Sequence, residues 1–184
     1  MKKVSLLFTI AFMSFTLFAQ KTYITKNAYA KLFSHTVAED ISAENFKVIS
    51  KINTETGDLI VSVPVQSFTF EKALMQKHFN QPNFMDSKQF PKIKFKGKFD
   101  ASEVNFAKDG TYPVTVSGDL TIRAVTKPIS EKGNIIVKDG KISANSVFIV
   151  KNIFQYGVGK PTKSSKNESI SEDIKIIFKA DYEG

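Results

Sequence analysis

The sequence contains no cysteine and no tryptophan, and only one arginine, Arg123, among its 184 residues. Without cysteine there is no disulfide framework, no cysteine metal site and no thiol nucleophile. A bacterial lipoprotein anchor is excluded as well, because it needs a cysteine at the new N-terminus. His35 and His78 are the only histidines and lie far apart, so they form no recognisable metal motif. There is no Gly-x-Ser-x-Gly elbow and no phosphate-cradling glycine loop, so neither an enzyme nor a cofactor is expected. Two adjacent carboxylate pairs occur, Glu39 with Asp40 and Glu172 with Asp173. Neighbouring residues on a strand point to opposite faces, so neither pair acts as a unit without a partner elsewhere.

The scarcity of arginine also bears on partners. The chain carries a formal net charge of +8, nearly all of its positive charge being lysine. Proteins that read nucleic acid lean on arginine for bidentate base contacts, so no nucleic-acid partner is expected. The lysine excess leaves transient contact with an anionic membrane surface open.

Long apolar runs are nearly absent too. The one exception is at the start, MKKVSLLFTIAFMSFTLFAQ. Lys2 and Lys3 form a positive stretch, Val4 to Phe18 is almost wholly apolar, and Ala19 is a plausible cleavage point. This is the layout of a secretory signal. The run is about 15 residues, short of the ~20 needed to cross a bilayer. Residues 1–19 are therefore expected to be a signal peptide and 20–184 a single domain, soluble in the periplasm or secreted. Four of the 17 phenylalanines leave with the signal, so 13 remain to build the mature protein.

What dominates that mature chain is alternation of apolar and polar residues, the period of a half-buried strand. Leu59, Val61, Val63 and Val65 alternate with Ile60, Ser62, Pro64 and Gln66. Ile93, Phe95, Gly97 and Phe99 alternate with Lys92, Lys94, Lys96 and Lys98, which places a basic stripe on the outer face. The stretch from Tyr112 to Ile122 and that from Ile174 to Tyr182 behave alike. Further strands are expected around Ala28–Ser34, Phe46–Asn53, Ile129–Val137 and Lys141–Val150, about eight in all. Asp139-Gly140 is a strong hairpin signal. Residues 161–172 are polar and read as a long loop. Glu71 to Asn80 breaks the pattern, with Leu74, Met75, His78 and Phe79 at helical spacing until Pro82 stops it. An all-β antiparallel barrel with one short helix follows, since closure removes unpaired sheet edges. A barrel of this size either fills with side chains or holds a ligand.

Two blocks of residues carry a family resemblance. The first is MQKHFNQPNFMDSKQFPKIKF, with His78-Phe79, Phe84-Met85-Asp86 and Phe90-Pro91-Lys92-Ile93-Lys94-Phe95. The second is TYPVTVSGDLTIRAVTKPI, with Gly118-Asp119-Leu120-Thr121-Ile122 followed by Val125-Thr126-Lys127. On these the chain resembles the YceI-like family of bacterial periplasmic polyisoprenoid-binding barrels. Ala124 stands where that family usually has glycine, and Val150 to Gly157 lacks its usual Arg-x-Asp-Phe-Gly-like element.

The resemblance implies a lipocalin-like, antiparallel eight-stranded barrel with the short helix near one end. It further implies a long isoprenoid or fatty amphiphile threaded through an apolar tunnel. The candidate wall residues near the helix are Phe68, Phe70, Leu74, Met75, Phe79 and Phe84. Those on the strands are Ile93, Phe95, Val114, Val116, Leu120 and Phe148. His78 is the candidate polar contact to a head group. Each buried CH₂ is worth ~0.8 kcal/mol, so about ten of them offer roughly 8 kcal/mol before ordering costs. No strong polar anchor is needed, which suits a chain without a polar motif. A packed-core interaction or stress-response barrel is the alternative. An enzyme acting on a bound lipid would need a polar cluster in the tunnel that includes His78. The oligomeric state is left open, a homodimer included.

Overall fold

The computed structural model describes residues 22–36, 39–159 and 170–183. The expected signal peptide and most of the loop over 161–172 lie outside them. Nine strands and one helix follow in order: β1 Thr22–His35, β2 Asp40–Asn53, β3 Asp58–Pro64, β4 Thr69–Phe70, α1 Ala73–Phe79, β5 Lys92–Lys98, β6 Gly110–Ile122, β7 Val125–Lys138, β8 Lys141–Val150 and β9 Ile174–Tyr182. Every pairing is antiparallel.

Eight of the strands form a closed barrel. β1 pairs with β2 on one side and with β9 on the other, so the sheet has no free ends. The two-residue β4 lies outside the ring, against Ala43 and Glu44 of β2. β3 passes directly to β5, because β4 and α1 occupy the connection between them. α1 is shorter than the sequence pattern predicts, and β1 and β2 each start about six residues earlier. The early half of β1 escapes a period-2 reading because its register shifts between Thr25 and Ala30. A bulge of that kind moves the apolar positions from one parity to the other.

Turn chemistry matches the connections. Asp139 and Gly140 both hold positive φ, 50° and 72°, the geometry of a tight two-residue hairpin. Gly57 also holds positive φ, and a Cβ there would lie 2.0 Å from the carbonyl oxygen of Phe99. Glycine is thus required where the β2–β3 turn meets the end of β5.

The alternation predicted for the strands decides what faces inward. Leu59, Val61, Val114, Leu120, Ile122, Ile135, Val137, Ile142 and Ala180 are buried. Lys92, Lys94, Lys96 and Lys98 are all exposed on the outside of β5.

Pairing is uneven around the ring. β6 and β7 stay paired from Gly110–Val137 to Ile122–Val125, and β8 and β9 from Ile142–Tyr182 to Val150–Ile174. Between β7 and β8, however, the register runs only from Lys138–Lys141 to Asn134–Asn145.

Candidate functional site

The barrel interior is apolar and holds two cavities. The larger, about 160 Å³, is walled by residues including Leu59, Val61, Val63, Phe95, Val116, Leu120, Ile129, Phe148 and Phe178. The smaller, about 100 Å³, lies toward α1 among Leu32, Phe79, Phe84, Met85, Ile153, Val158 and Ile174. Phe68, Ile93, Ile122, Val150 and Ile176 line both, forming a collar where one meets the other. Each alone is smaller than the ~300 Å³ at which small-molecule pockets usually begin. Together they follow the interior from mid-barrel to the helix end.

Glycine makes part of this space. The Phe95 ring lies against Gly97, where a Cβ would approach within 2.3 Å of it. The ring can lie along the wall rather than across the cavity only because Gly97 lacks a side chain.

The α1 end is closed by aromatic rings. Phe79 sits at the centre, with ring centroids 5.6 Å from Phe68, 4.9 Å from Phe70 and 6.5 Å from Phe84. Such tilted and edge-on contacts match the ring quadrupoles. Arg123, in the β6–β7 turn, ties the surrounding loops to this plug. Its guanidinium donates to the carbonyls of Phe84 at 3.0 Å, Gly157 at 2.5 Å and Pro82 at 3.1 Å. It also faces the Asp86 carboxylate at 4.0 Å and stacks over the Phe90 ring at 5.4 Å. The planar five-donor group suits several carbonyls at once, which explains an arginine here in a lysine-rich chain.

The opposite end carries the buried polar pair. The Tyr182 hydroxyl lies 2.8 Å from Ser50 Oγ, and Ser50 is fully buried. Burial pushes the Tyr182 phenol up to about 12, partly offset by the Ser50 bond. Elsewhere burial raises Tyr156. Tyr29 is raised by burial and by its bond to Glu44, whose carboxyl is lowered by the hydrogen bonds from Lys31 and Tyr29.

The candidate residues divide by position. Phe68 and Ile93 lie in the collar, Phe95, Val116, Leu120 and Phe148 line the larger cavity, and Phe79 and Phe84 line the smaller. Phe70 is buried behind Phe79, and Val114 is buried in the wall, but neither lines a cavity. Met75 packs against the core from α1. Leu74 is 62% exposed and His78 is also exposed, so both sit on the solvent side of α1, away from the interior. Helical spacing alone could not say which face of so short a helix would meet the barrel. The reading missed Ile122, Val150 and Ile176 of the collar. Ile122 and Ile176 belong to predicted alternating stretches, but their height along the barrel depends on strand register.

Glu39 and the Glu172–Asp173 pair lie just outside the strands, so strand alternation does not govern them. Glu39 bonds Lys72 while Asp40 faces His35 Nδ1 at 2.6 Å. Asp173 accepts from the Asn152 amide at 2.9 Å. Among the described residues no three His, Asp or Glu side chains are grouped to hold a metal. Among them, too, no helix is long and apolar enough to cross a membrane.

Comparison with known proteins places this architecture. The profile described as YceI-like domain matches residues 15–182. A polyisoprenoid binding domain from Saccharophagus degradans, implicated in plant cell wall breakdown, superposes with a TM-score of 0.75 at 13% identity, covering 89% of this chain and 98% of that one. BcnA of Burkholderia cenocepacia gives 0.68 at 14% identity, covering 83% and 94%. A YCEI protein of Campylobacter jejuni gives 0.55 at 18% identity, covering 100% and 99%. At these identities the solved structures establish a shared fold. No curated protein sequence matches the chain.

Proposed function

The chain belongs to the YceI-like domain family, and from that premise we propose that it is an exported binding protein that carries a long apolar chain, isoprenoid or fatty, inside its barrel. The observation that carries this reading is the pair of adjoining apolar cavities that share Phe68, Ile93, Ile122, Val150 and Ile176 as lining. An interior of this kind offers dispersion contacts along a chain and few partners for a polar substrate. The polyisoprenoid binding described for the Saccharophagus degradans relative supports the same ligand class. The N-terminal secretory layout supports a periplasmic location, where water will not carry such a molecule unaided.

The proposed ligand contacts are Phe68, Phe79, Phe84, Ile93, Phe95, Val116, Leu120 and Phe148. The role assigned is binding, with no chemical step. A second reading is a packed barrel without ligand, favoured by the modest size of each cavity. Uptake of a conjugated polyene fatty acid, which fluoresces on leaving water, separates the two. Saturable uptake at one molecule per chain is expected. A flat titration would establish the packed barrel instead.

A further inference from the structure

Among the described residues, the ladder between β7 and β8 ends early. Continuing the β7–β8 register beyond Asn134–Asn145 would pair Glu131 with Phe148 and Ile129 with Val150. Those pairings do not form, although β7 and β8 keep their other partners over the same length. The split therefore belongs to this seam and is not fraying at a barrel end.

The seam is bounded at both ends. Below it, Asn134 Nδ2 donates to Asn145 Oδ1 at 3.1 Å and Ser146 Oγ donates to the Lys132 carbonyl at 2.6 Å. Above it, the turn Ile153–Tyr156 follows β8, and the next residue, Gly157, is held to the β6–β7 turn by Arg123. Pro128 sits in the stretch of β7 that pairs with β6 but not with β8, and its missing N–H discourages pairing.

An outer groove overlies the split, lined by Lys127, Pro128, Ile149, Lys151, Gln155 and Tyr156 among others. Ile129, Glu131, Phe148 and Val150 line both this groove and the larger inner cavity. The same four residues thus have outside space on one side and apolar interior on the other. Beside the groove, Val147 and Ile149 are 60% and 48% exposed on β8. The rim mixes Lys127, Lys151 and Gln155 with apolar side chains, while the cavity behind it is almost wholly apolar.

We infer that the β7–β8 seam is the mouth of the barrel. The chain of an amphiphile passes inward past Ile129 and Phe148, and its head group remains outside among Lys127, Lys151 and Gln155. The two lysines favour an anionic head such as a carboxylate or phosphate. This assigns the polar contact to the seam and not to His78, and it rests on the reading that the interior holds an apolar chain.

Exchange kinetics of the polyene fatty acid test it. Gln155 is exposed, and it lines the groove but not the interior. Q155W is expected to slow both uptake and release by about tenfold or more, a modest rise in barrier. The chain has no native cysteine, so the double variant E131C/F148C offers a reversible closure. Oxidised, it is expected to exchange probe at least about tenfold more slowly than the same protein reduced. Wild-type rates in Q155W, or equal rates in the oxidised and reduced pair with the disulfide verified by mass, would overturn the seam as the mouth while leaving the binding reading intact. If the disulfide does not form, Q155W decides alone. Failure of the wild-type protein to take up probe at equilibrium would overturn both.

Discussion

Tyr182 places its hydroxyl 2.8 Å from Ser50 Oγ, tying the last strand to the second inside the barrel. The two residues are 132 positions apart, and the bond forms only once the ring has closed. Y182F would leave the Ser50 hydroxyl buried without this partner, at a cost of about 1–3 kcal/mol. The titration has a definite sign. The phenol is raised from its ordinary 10.0 to about 12 in the fold, so its contribution is fully present below pH 10 and is lost as pH rises toward 12. Denaturant titrations at pH 8 and pH 11 should show wild type losing more stability than Y182F over that interval. Equal losses would show that Tyr182 is not the group responsible.

Arg123 holds together loops that no strand ladder connects. R123K keeps the charge but loses the planar fork that serves Pro82, Phe84 and Gly157. A loss of about 1–3 kcal/mol is expected. Faster amide exchange should be confined to residues 82–90 and 153–159. Unchanged protection there would mean the aromatic plug alone holds the α1 end.

Val116 and Leu74 form a matched pair of substitutions. Val116 lines the larger cavity, whereas Leu74 is exposed on α1. V116W should cost about 1–3 kcal/mol through overpacking and abolish probe uptake by filling the cavity. L74A should alter stability by no more than about 0.5 kcal/mol and leave uptake intact. Circular dichroism would check that both variants fold. The reverse pattern, with L74A deficient and V116W normal, would move the binding site to the outer face of the helix.

Much of this fold could be read from period-2 alternation, because most inward residues of a barrel strand have an outward polar neighbour. Phe95 between Lys94 and Lys96 shows it clearly, with the ring at the cavity and both lysines exposed. What alternation could not convey was height and pairing. Val114 and Val116 share a face of β6, yet only Val116 lines the larger cavity. Leu74 was expected in the wall and His78 at a head group, yet both face solvent, because a two-turn helix has no periodicity long enough to fix its buried face. The β7–β8 seam left no mark that one strand shows alone, since it is a missing relation between two strands that each look regular. Pro128 lies in it, but a proline also occurs in ordinary edge strands.

The central claim is that the barrel interior carries a long apolar chain. The most direct measurement is organic extraction of the protein purified from its own exported compartment without detergent, followed by mass spectrometry. The account predicts an isoprenoid or fatty amphiphile at close to one molecule per chain, lost in V116W and retained in L74A. A wild-type protein that yields no lipid, and whose interior stays filled by its own side chains when probe is added, would contradict it.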